Sequence, residues 1–272
     1  MVTAIIPSRR IAGIDIAWRD GNPSALAIGE LEQGVLQVEQ LLHDCYSAPE
    51  MGQILLAEAV HGVAIDGPTV IVNATGMRDC ERAIASRYGR RGVACYPANL
   101  NLWAHCQSLQ LSQWLLQRGF GHAGSQPERV DHAPWQIECY PHAALLELLQ
   151  LPYRLAYKKG SSDARRSGQQ HFAELLMSLT QPAVTGAIQL RLAATITEQY
   201  LNTERIASLR GAALKANDDC LDALVCVLIA AYHQQQQSEV FGDDQHGFIV
   251  VPMMTSQCPY GTIAHPLNLP NC

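Results

Sequence analysis

Residues 217–232 (NDDCLDALVCVLIAAY) form a stretch that is apolar on every side of a helix. Leucine, valine, isoleucine and tyrosine recur at the i, i+3, i+4, i+7 and i+8 spacing of one helical face, and the other positions are mostly alanine and valine. A helix this apolar on all sides is stable only inside a protein. The sequence therefore predicts a fold organised around one buried helix in its C-terminal part.

Acidic residues interrupt the start of this helix. We predict Asn217 as its N-cap, which puts Asp218 and Asp219 in the first turn, where the helix dipole favours negative charge. Asp222 lies beyond that turn, and a buried carboxylate must be paired with a cation or protonated. Asp219 and Asp222 lie at i and i+3 on the same side. The alternatives are a metal-binding edge and a solvated helix start.

The first 68 residues predict four strands and one helix. Short apolar runs rich in β-branched residues and separated by turn residues are typical of strands, and a capping box at residues 47–50 begins the helix. The strands are predicted at residues 10–18, 24–29, 35–42 and 62–68.

The first and fourth of these strands each carry an acid. Asp15 stands in the middle of an apolar run, whereas Asp66 ends its strand before Gly67-Pro68, where a turn-forming role is the simpler explanation. Three antiparallel strands, a helix and a further strand resemble the opening of the ribonuclease H-like fold. In that fold the first and fourth strands are parallel neighbours, which implies that Asp15 and Asp66 come within reach of one another.

Residues 67–134 are predicted to form a helical insertion beside the sheet, with helices at residues 78–88 and 99–118. The insertion carries the densest basic cluster of the chain. A solvated surface and contact with phosphate are the two explanations for such a cluster. Its members are Arg78, Arg82, Arg87, Arg90 and Arg91.

A fifth strand is predicted at residues 135–141, and it holds another acid, Glu138. A helix from about residue 164 follows, with Arg165 in its first turn. Basic residues there oppose the helix dipole, so helix stability does not explain them and contact with phosphate does. The candidate phosphate contacts of the chain are Arg78, Lys158 and Arg165.

The acids have the composition of a two-metal site for phosphoryl chemistry. Two Mg²⁺ or Mn²⁺ ions roughly 4 Å apart activate a water molecule and stabilise the leaving oxygen, and carboxylates from different elements hold the ions. Each acid taken alone also has a structural explanation. The candidate ligands are Asp15, Asp66, Asp219 and Asp222.

Composition limits the partners and the compartment. The net charge of -6 and the pI near 5.9 argue against a general electrostatic nucleic-acid binder but leave room for a local basic groove. The nine cysteines include no C-x-x-C pair, so we expect reduced thiols in the cytoplasm, with no disulfide framework and no zinc site. No apolar stretch reaches ~18 residues, so we expect neither a leader peptide nor a membrane partner.

Short motifs occur in a fixed order along residues 10–252: GID at 13–15, AIDGP at 64–68, RDCE at 78–81, IECYPH at 137–142, YK at 157–158, DDCLDA at 218–223 and GFIVVP at 247–252. In this order they resemble the family of predicted RNase H-like nucleases, long catalogued as a domain of unknown function. The final acidic helix is also similar to that of RuvC-type Holliday junction resolvases, in which two aspartates at i and i+3 complete the metal site.

The resemblance implies metal roles for Asp15, Asp66, Asp219 and Asp222, and a role as ligand or base for Glu138. The helix geometry alone leaves Asp218 as an alternative to Asp219. The acidic overall charge departs from a RuvC-like resolvase, which needs a broad basic groove.

We therefore predict an α/β fold with a single RNase H-like domain over residues 1–252, built on a mixed five-stranded sheet flanked by helices. Residues 253–272 are predicted to be an irregular tail. The predicted function is that of a hydrolase, a metal-dependent nuclease with two Mg²⁺ or Mn²⁺ ions and a nucleic-acid substrate. The alternative is a non-catalytic nucleic-acid or nucleotide-binding protein on the same scaffold.

Overall fold

The computed structural model describes residues 8–125, 127–181 and 187–253, which form an α/β fold. The strands are β1 (Arg9–Asp15), β2 (Ser24–Glu32), β3 (Val35–Asp44), β4 (Gly62–Ile65), β5 (Gly121–His122), β6 (Trp135–Glu138), β7 (Gln189–Leu192), β8 (Ser238–Asp243) and β9 (Gly247–Pro252). The α-helices are α1 (Ala48–Ala57), α2 (Asp79–Tyr88), α3 (Leu100–Trp103), α4 (Gln107–Leu116), α5 (Pro141–Leu148), α6 (Ser162–Ser178), α7 (Ala194–Ile196), α8 (Thr203–Ser208) and α9 (Gly211–Gln234).

The main sheet is mixed and has seven strands in the order β5-β6-β4-β1-β2-β3-β7. β2 is antiparallel to both β1 and β3, and the other neighbouring pairs are parallel. β1 and β4 are therefore parallel neighbours, as predicted. β8 and β9 form a separate antiparallel pair.

The prediction of five strands was wrong, because β5 and β7 extend the sheet at its two edges. β5 has only two residues, too few for an alternating pattern. β7 has the sequence QLRL, which carries none of the β-branched residues that indicate strands. Both strands are ordered by the neighbour that they pair with rather than by their own residues.

The predicted helix over residues 99–118 is two helices, α3 and α4. Asn99 caps α3, its side chain accepting a hydrogen bond from Leu102 N. Between the helices, the Gln107 amide donates to the Trp18 carbonyl, 3.2 Å away in the loop after β1. This tertiary bond replaces the one that a continuous helix would make. The capping box that begins α1 is present as predicted.

α9 is the predicted central helix, and every residue from Asn217 to Gln234 is buried. The prediction of Asn217 as its N-cap was wrong, because the helix begins two turns earlier, at Gly211. The Asn217 side chain instead donates to Gln169 Oε1 at 3.1 Å. α9 lies directly against β1 at Gly13, where an added Cβ would be 1.9 Å from Val227 N. Only glycine permits this approach of helix to strand.

Other predictions have mixed outcomes. The cysteines in the described ranges are free thiols, as predicted. No helix in those ranges is long and apolar enough to cross a membrane. The division of the chain into a domain, an insertion and a tail stays a prediction, and residues 254–272 of the predicted tail lie outside the described part.

Candidate active site

A cleft of about 1120 Å³ opens beside the ends of β1, β4 and β6. The carboxyl ends of these parallel neighbours meet at one edge of the sheet, so the acids at their ends come together there. α9 closes the cleft from the other side with its N-terminal half. The predicted acids that line the cleft are Asp15, Asp66, Glu138 and Asp219.

β1 and β4 hold the first two acids next to one another. The last residue of β1 is Asp15, and Asp66 follows directly after β4. The Asp66 amide donates to the Ile14 carbonyl at 2.8 Å, which continues the parallel pairing to the acid itself. The sheet therefore fixes both backbones, and the predicted proximity of the two strand ends is confirmed.

α9 brings its acids to the same place. Asp219 hydrogen-bonds the Asp15 side chain, its Oδ2 lies 3.3 Å from His43 Nε2, and Lys215 contacts its Oδ1. Burial alone would raise the pKa of Asp219, but the hydrogen bonds from His43 and Lys215 bring that pKa below its usual range. The pKa of Asp15 is raised instead, chiefly by burial.

Burial raises the pKa of three other acids of the cluster, Asp15, Asp66 and Asp218. Burial raises the pKa of Asp15 well above its usual range; Lys158 opposes this rise, and neighbouring aspartates add to it. Burial likewise raises the pKa of Asp66 to about 7 and that of Asp218 to about 7, and the charge of Asp222 adds to both rises. The nearby lysines therefore offset only part of the effect of burial and of the neighbouring carboxylates on these pKa values.

Asp222 is the deepest acid and is fully buried. Tyr157 donates a hydrogen bond of 2.6 Å to its Oδ1, and Lys158 Nζ forms an ion pair with its Oδ2 at 2.5 Å, at an angle outside that of a hydrogen bond. The Tyr157–Lys158 segment is pressed against α6, where a Cβ on Gly168 would lie 2.0 Å from the Ala156 carbonyl oxygen.

The donor set suits a hard divalent cation, since it consists of carboxylate oxygens. Asp218 Oδ1 is buried and lacks a hydrogen-bond partner among the described residues, whereas Asp222 Oδ2 is held by the ion pair with Lys158. Lys158 and Lys215 now lie against the acids, and no three His, Cys, Asp or Glu side chains of the described ranges are arranged to hold a metal ion. The oxygen donors are of the kind that Mg²⁺ or Mn²⁺ binds, and the predicted metal site stays a prediction.

Glu138 has a structural role that the sequence did not reveal. Arg78 binds it through two hydrogen bonds, Nη1 to Oε2 at 2.8 Å and Nη2 to Oε1 at 2.6 Å, and the Thr69 amide donates to it at 3.1 Å. Arg78 Nε also donates to Glu81 at 2.8 Å. Arg78 lines the cleft but is only 4% exposed, and its guanidinium nitrogens already make these contacts, so its predicted contact with substrate phosphate stays a prediction. The predicted role of Glu138 as ligand or base likewise stays a prediction.

The other candidate phosphate contacts differ in position. Lys158 lines the cleft, as its predicted role requires. Arg165 lies on α6, outside the residues that line the cleft, so the structure does not bring it to the site.

Charge is separated between the floor and the rim of the cleft. Among the described residues that line it, every acid is buried or only partly exposed, and every exposed charged residue is basic. A protein with a net charge of -6 thus presents only positive charge at the mouth of this cleft. The exposed residues are Arg19, Arg154, Lys159 and Lys215.

Sequence reasoning missed several residues of the site. Lys215 precedes Asp219 by four positions, a spacing that indicates an ion pair on a helix. This pair was missed because the helix was predicted to begin after Asn217, which left Lys215 outside it. Tyr157 was noted only as part of a motif. His43 lies in β3 and carries no local signal, because its partner is distant in sequence.

Comparison with known proteins gives one family. A family model described as "Protein of unknown function (DUF429)" matches residues 13–246. A search of curated proteins gives no match.

Proposed function

The chain belongs to the DUF429 family, whose model covers most of its length, and we propose that it is a metal-dependent nuclease with an RNase H-like fold. The observation that carries the proposal is the acid cluster at the floor of a cleft with a basic rim. A cation and a phosphodiester are the two ligands that such a separation of charge attracts together. The pairing of β1 with β2 and β4 supports the RNase H-like part of the proposal.

The residues that would hold Mg²⁺ or Mn²⁺ are Asp15, Asp66, Asp219 and Asp222. When bound, the ions supply an activated water molecule and stabilisation of the leaving oxygen. His43 keeps Asp219 in a fixed orientation, and Tyr157 does the same for Asp222. Such partners of ligands determine how well a carboxylate is oriented.

Two lysines have a part in this proposal. Lys215 is exposed and reaches the acids from the helix start, so it can turn from Asp219 towards a phosphate at the rim. Lys158 neutralises Asp222 in the absence of a cation. Each ammonium group is carried on a flexible four-carbon stem, so it can move from a carboxylate to a phosphate without a change of the backbone.

The test compares the wild-type protein with Asp15→Asn. We expect the wild type to bind Mn²⁺ in calorimetry and to cleave a nucleic acid in the presence of Mn²⁺, and we expect the variant to lose both properties with its fold intact. Asp79→Asn is the matched control, because Asp79 is exposed on α2 and lies outside the cleft. Retained cleavage by purified, folded Asp15→Asn would refute the proposal.

A second candidate function has its own supporting observation. Lys158 and Lys215 occupy the acid cluster, as they would in a protein that has no use for a metal. The protein would then bind a nucleotide or a nucleic acid without hydrolysing it. In that case AMP or an oligonucleotide raises the melting temperature in EDTA and is recovered intact. The absence of any stabilisation by these ligands counts against the second candidate.

A further inference from the structure

One wall of the cleft is aromatic. Trp18, Tyr96 and Trp103 all line it. Trp18 and Trp103 pack against each other, with ring centroids 4.1 Å apart and planes at 53°. Tyr96 is 71% exposed, so burial in a core does not explain it. A large flat apolar ring at this exposure, beside the candidate active site, is available to a ligand.

Hydrogen bonds hold the backbone around the two tryptophans of the wall before any ligand arrives. The Leu100 amide donates to the Asn73 carbonyl at 3.0 Å, and the Asn73 side chain donates to the Ala98 carbonyl at 3.2 Å. The bond from the Gln107 amide to the Trp18 carbonyl ties the loop after β1 to the same segment. A prearranged surface loses little conformational entropy on binding.

Cations lie beside the aromatic rings. Lys159 Nζ donates to Tyr96 Oη at 3.2 Å and lies 5.8 Å from the centre of its ring. Arg154 and Arg19 are exposed on the same rim. Aromatic rings that stack on bases, next to cations that contact the backbone, are the combination by which proteins bind single strands. A duplex hides its base faces and cannot use such a wall.

The geometry points to single-stranded nucleic acid as the substrate class of this cleft, with an unstacked base on Tyr96 and its phosphates between the basic rim and the acidic floor. This inference rests on the proposed function, because it names the substrate of the same site. A cleft of about 1120 Å³ is slightly larger than those that enclose a drug-sized ligand, ~300–1,000 Å³. It therefore has room for a few nucleotides and not for a length of duplex.

The test measures binding by fluorescence anisotropy, with labelled oligo(dT) and oligo(U) as single strands and the same strands annealed to oligo(dA) and oligo(A). Wild type, Tyr96→Ala and Tyr96→Phe are compared in EDTA, where no metal-dependent cleavage occurs. We expect tighter binding of the single strands. We also expect Tyr96→Ala to bind them about fivefold or more weakly and Tyr96→Phe to bind them normally, because stacking needs the ring and not the hydroxyl.

Tyr153→Ala is the matched control, because Tyr153 is 60% exposed and lies outside the cleft. It should leave binding unchanged. Equal or tighter binding of the duplexes, an unaltered affinity in Tyr96→Ala, or no binding of either strand form would overturn the inference.

A cleavage assay in Mn²⁺ separates the two proposals. Selective binding of single strands without cleavage removes the proposed function alone, whereas cleavage without strand preference removes this inference alone.

Discussion

Replacement of Asp66 by asparagine removes one carboxylate of the acid cluster with almost no change of shape. The unfolded chain releases the Asp66 proton near the ordinary pKa of 3.8, whereas the folded protein retains it up to a pKa of about 7. Between these pH values the folded state binds more protons than the unfolded state, so the stability of the wild type falls as the pH rises. The amide of the replacement side chain cannot ionise. We therefore expect Asp66→Asn to stabilise the protein at neutral and higher pH.

The size of the gain follows from the two pKa values. Their difference corresponds to about 4 kcal/mol, at ~1.4 kcal/mol for each pH unit. Because Asp66 is partly open to the cleft, screening by water reduces the expected gain to about 2 kcal/mol. The gain should shrink as the pH falls towards ~4, where the unfolded chain is also protonated.

The assay is urea denaturation of wild type and variant in EDTA at about pH 8 and about pH 4. Asp219→Asn is the matched comparison within the same cluster. The pKa of Asp219 is lowered in the folded protein, so its charge stabilises the fold above the unfolded pKa and ceases to do so as the pH falls. Asp219→Asn should therefore destabilise the protein at the higher pH, opposite in sign to Asp66→Asn.

Two results would refute this reasoning. One is a loss of stability in Asp66→Asn at high pH, which would mean that its carboxylate is adequately paired. The other is a gain that does not depend on pH, which would mean that the raised pKa of Asp66 is not its cause.

Three further predictions concern the supports of the site and are checked by urea denaturation. Gly13→Ala should cost at least ~3 kcal/mol, because its Cβ would meet the backbone of α9, whereas Gly89→Ala, with no heavy atom within 4 Å of the new Cβ, should cost little. Arg78→Met should cost ~3–5 kcal/mol by leaving Glu138 buried and unpaired, and a cost below ~1 kcal/mol would contradict that pairing. Tyr157→Phe should cost ~1.5–3 kcal/mol, since it removes a hydrogen bond to a buried carboxylate, and an unchanged stability would show that water replaces the hydroxyl.

The sequence predicted the framework of the site where the signals were local. The apolar runs around Asp15 and before Asp66 identified β1 and β4, and the all-round apolar pattern identified α9. Parallel pairing of β1 with β4 was implied by the resemblance of this order of elements to the ribonuclease H-like fold. These parts depend on periodicity and connectivity, which a single sequence carries.

The sequence failed where a residue depends on a distant partner. Arg78 stood out only as part of a run of arginines, and its pairing with Glu138 was missed. Its partner Glu138 is remote in sequence, and burial of the pair became visible only in three dimensions. The start of α9 was placed too late for a different reason. Asn217 is a good N-cap by residue type, but in the structure it lies inside the helix and its side-chain amide donates a hydrogen bond to Gln169.

The contact of α9 with β1 at Gly13 also decides when the floor of the cleft can open. Asp15 and Asp219 belong to two elements packed backbone to backbone, so local opening cannot separate them. Amide hydrogen exchange at Val227 should thus require unfolding of the whole protein, whereas the rim segments should exchange through small local openings. Substitutions at the rim should therefore disturb the fold less than substitutions at the floor.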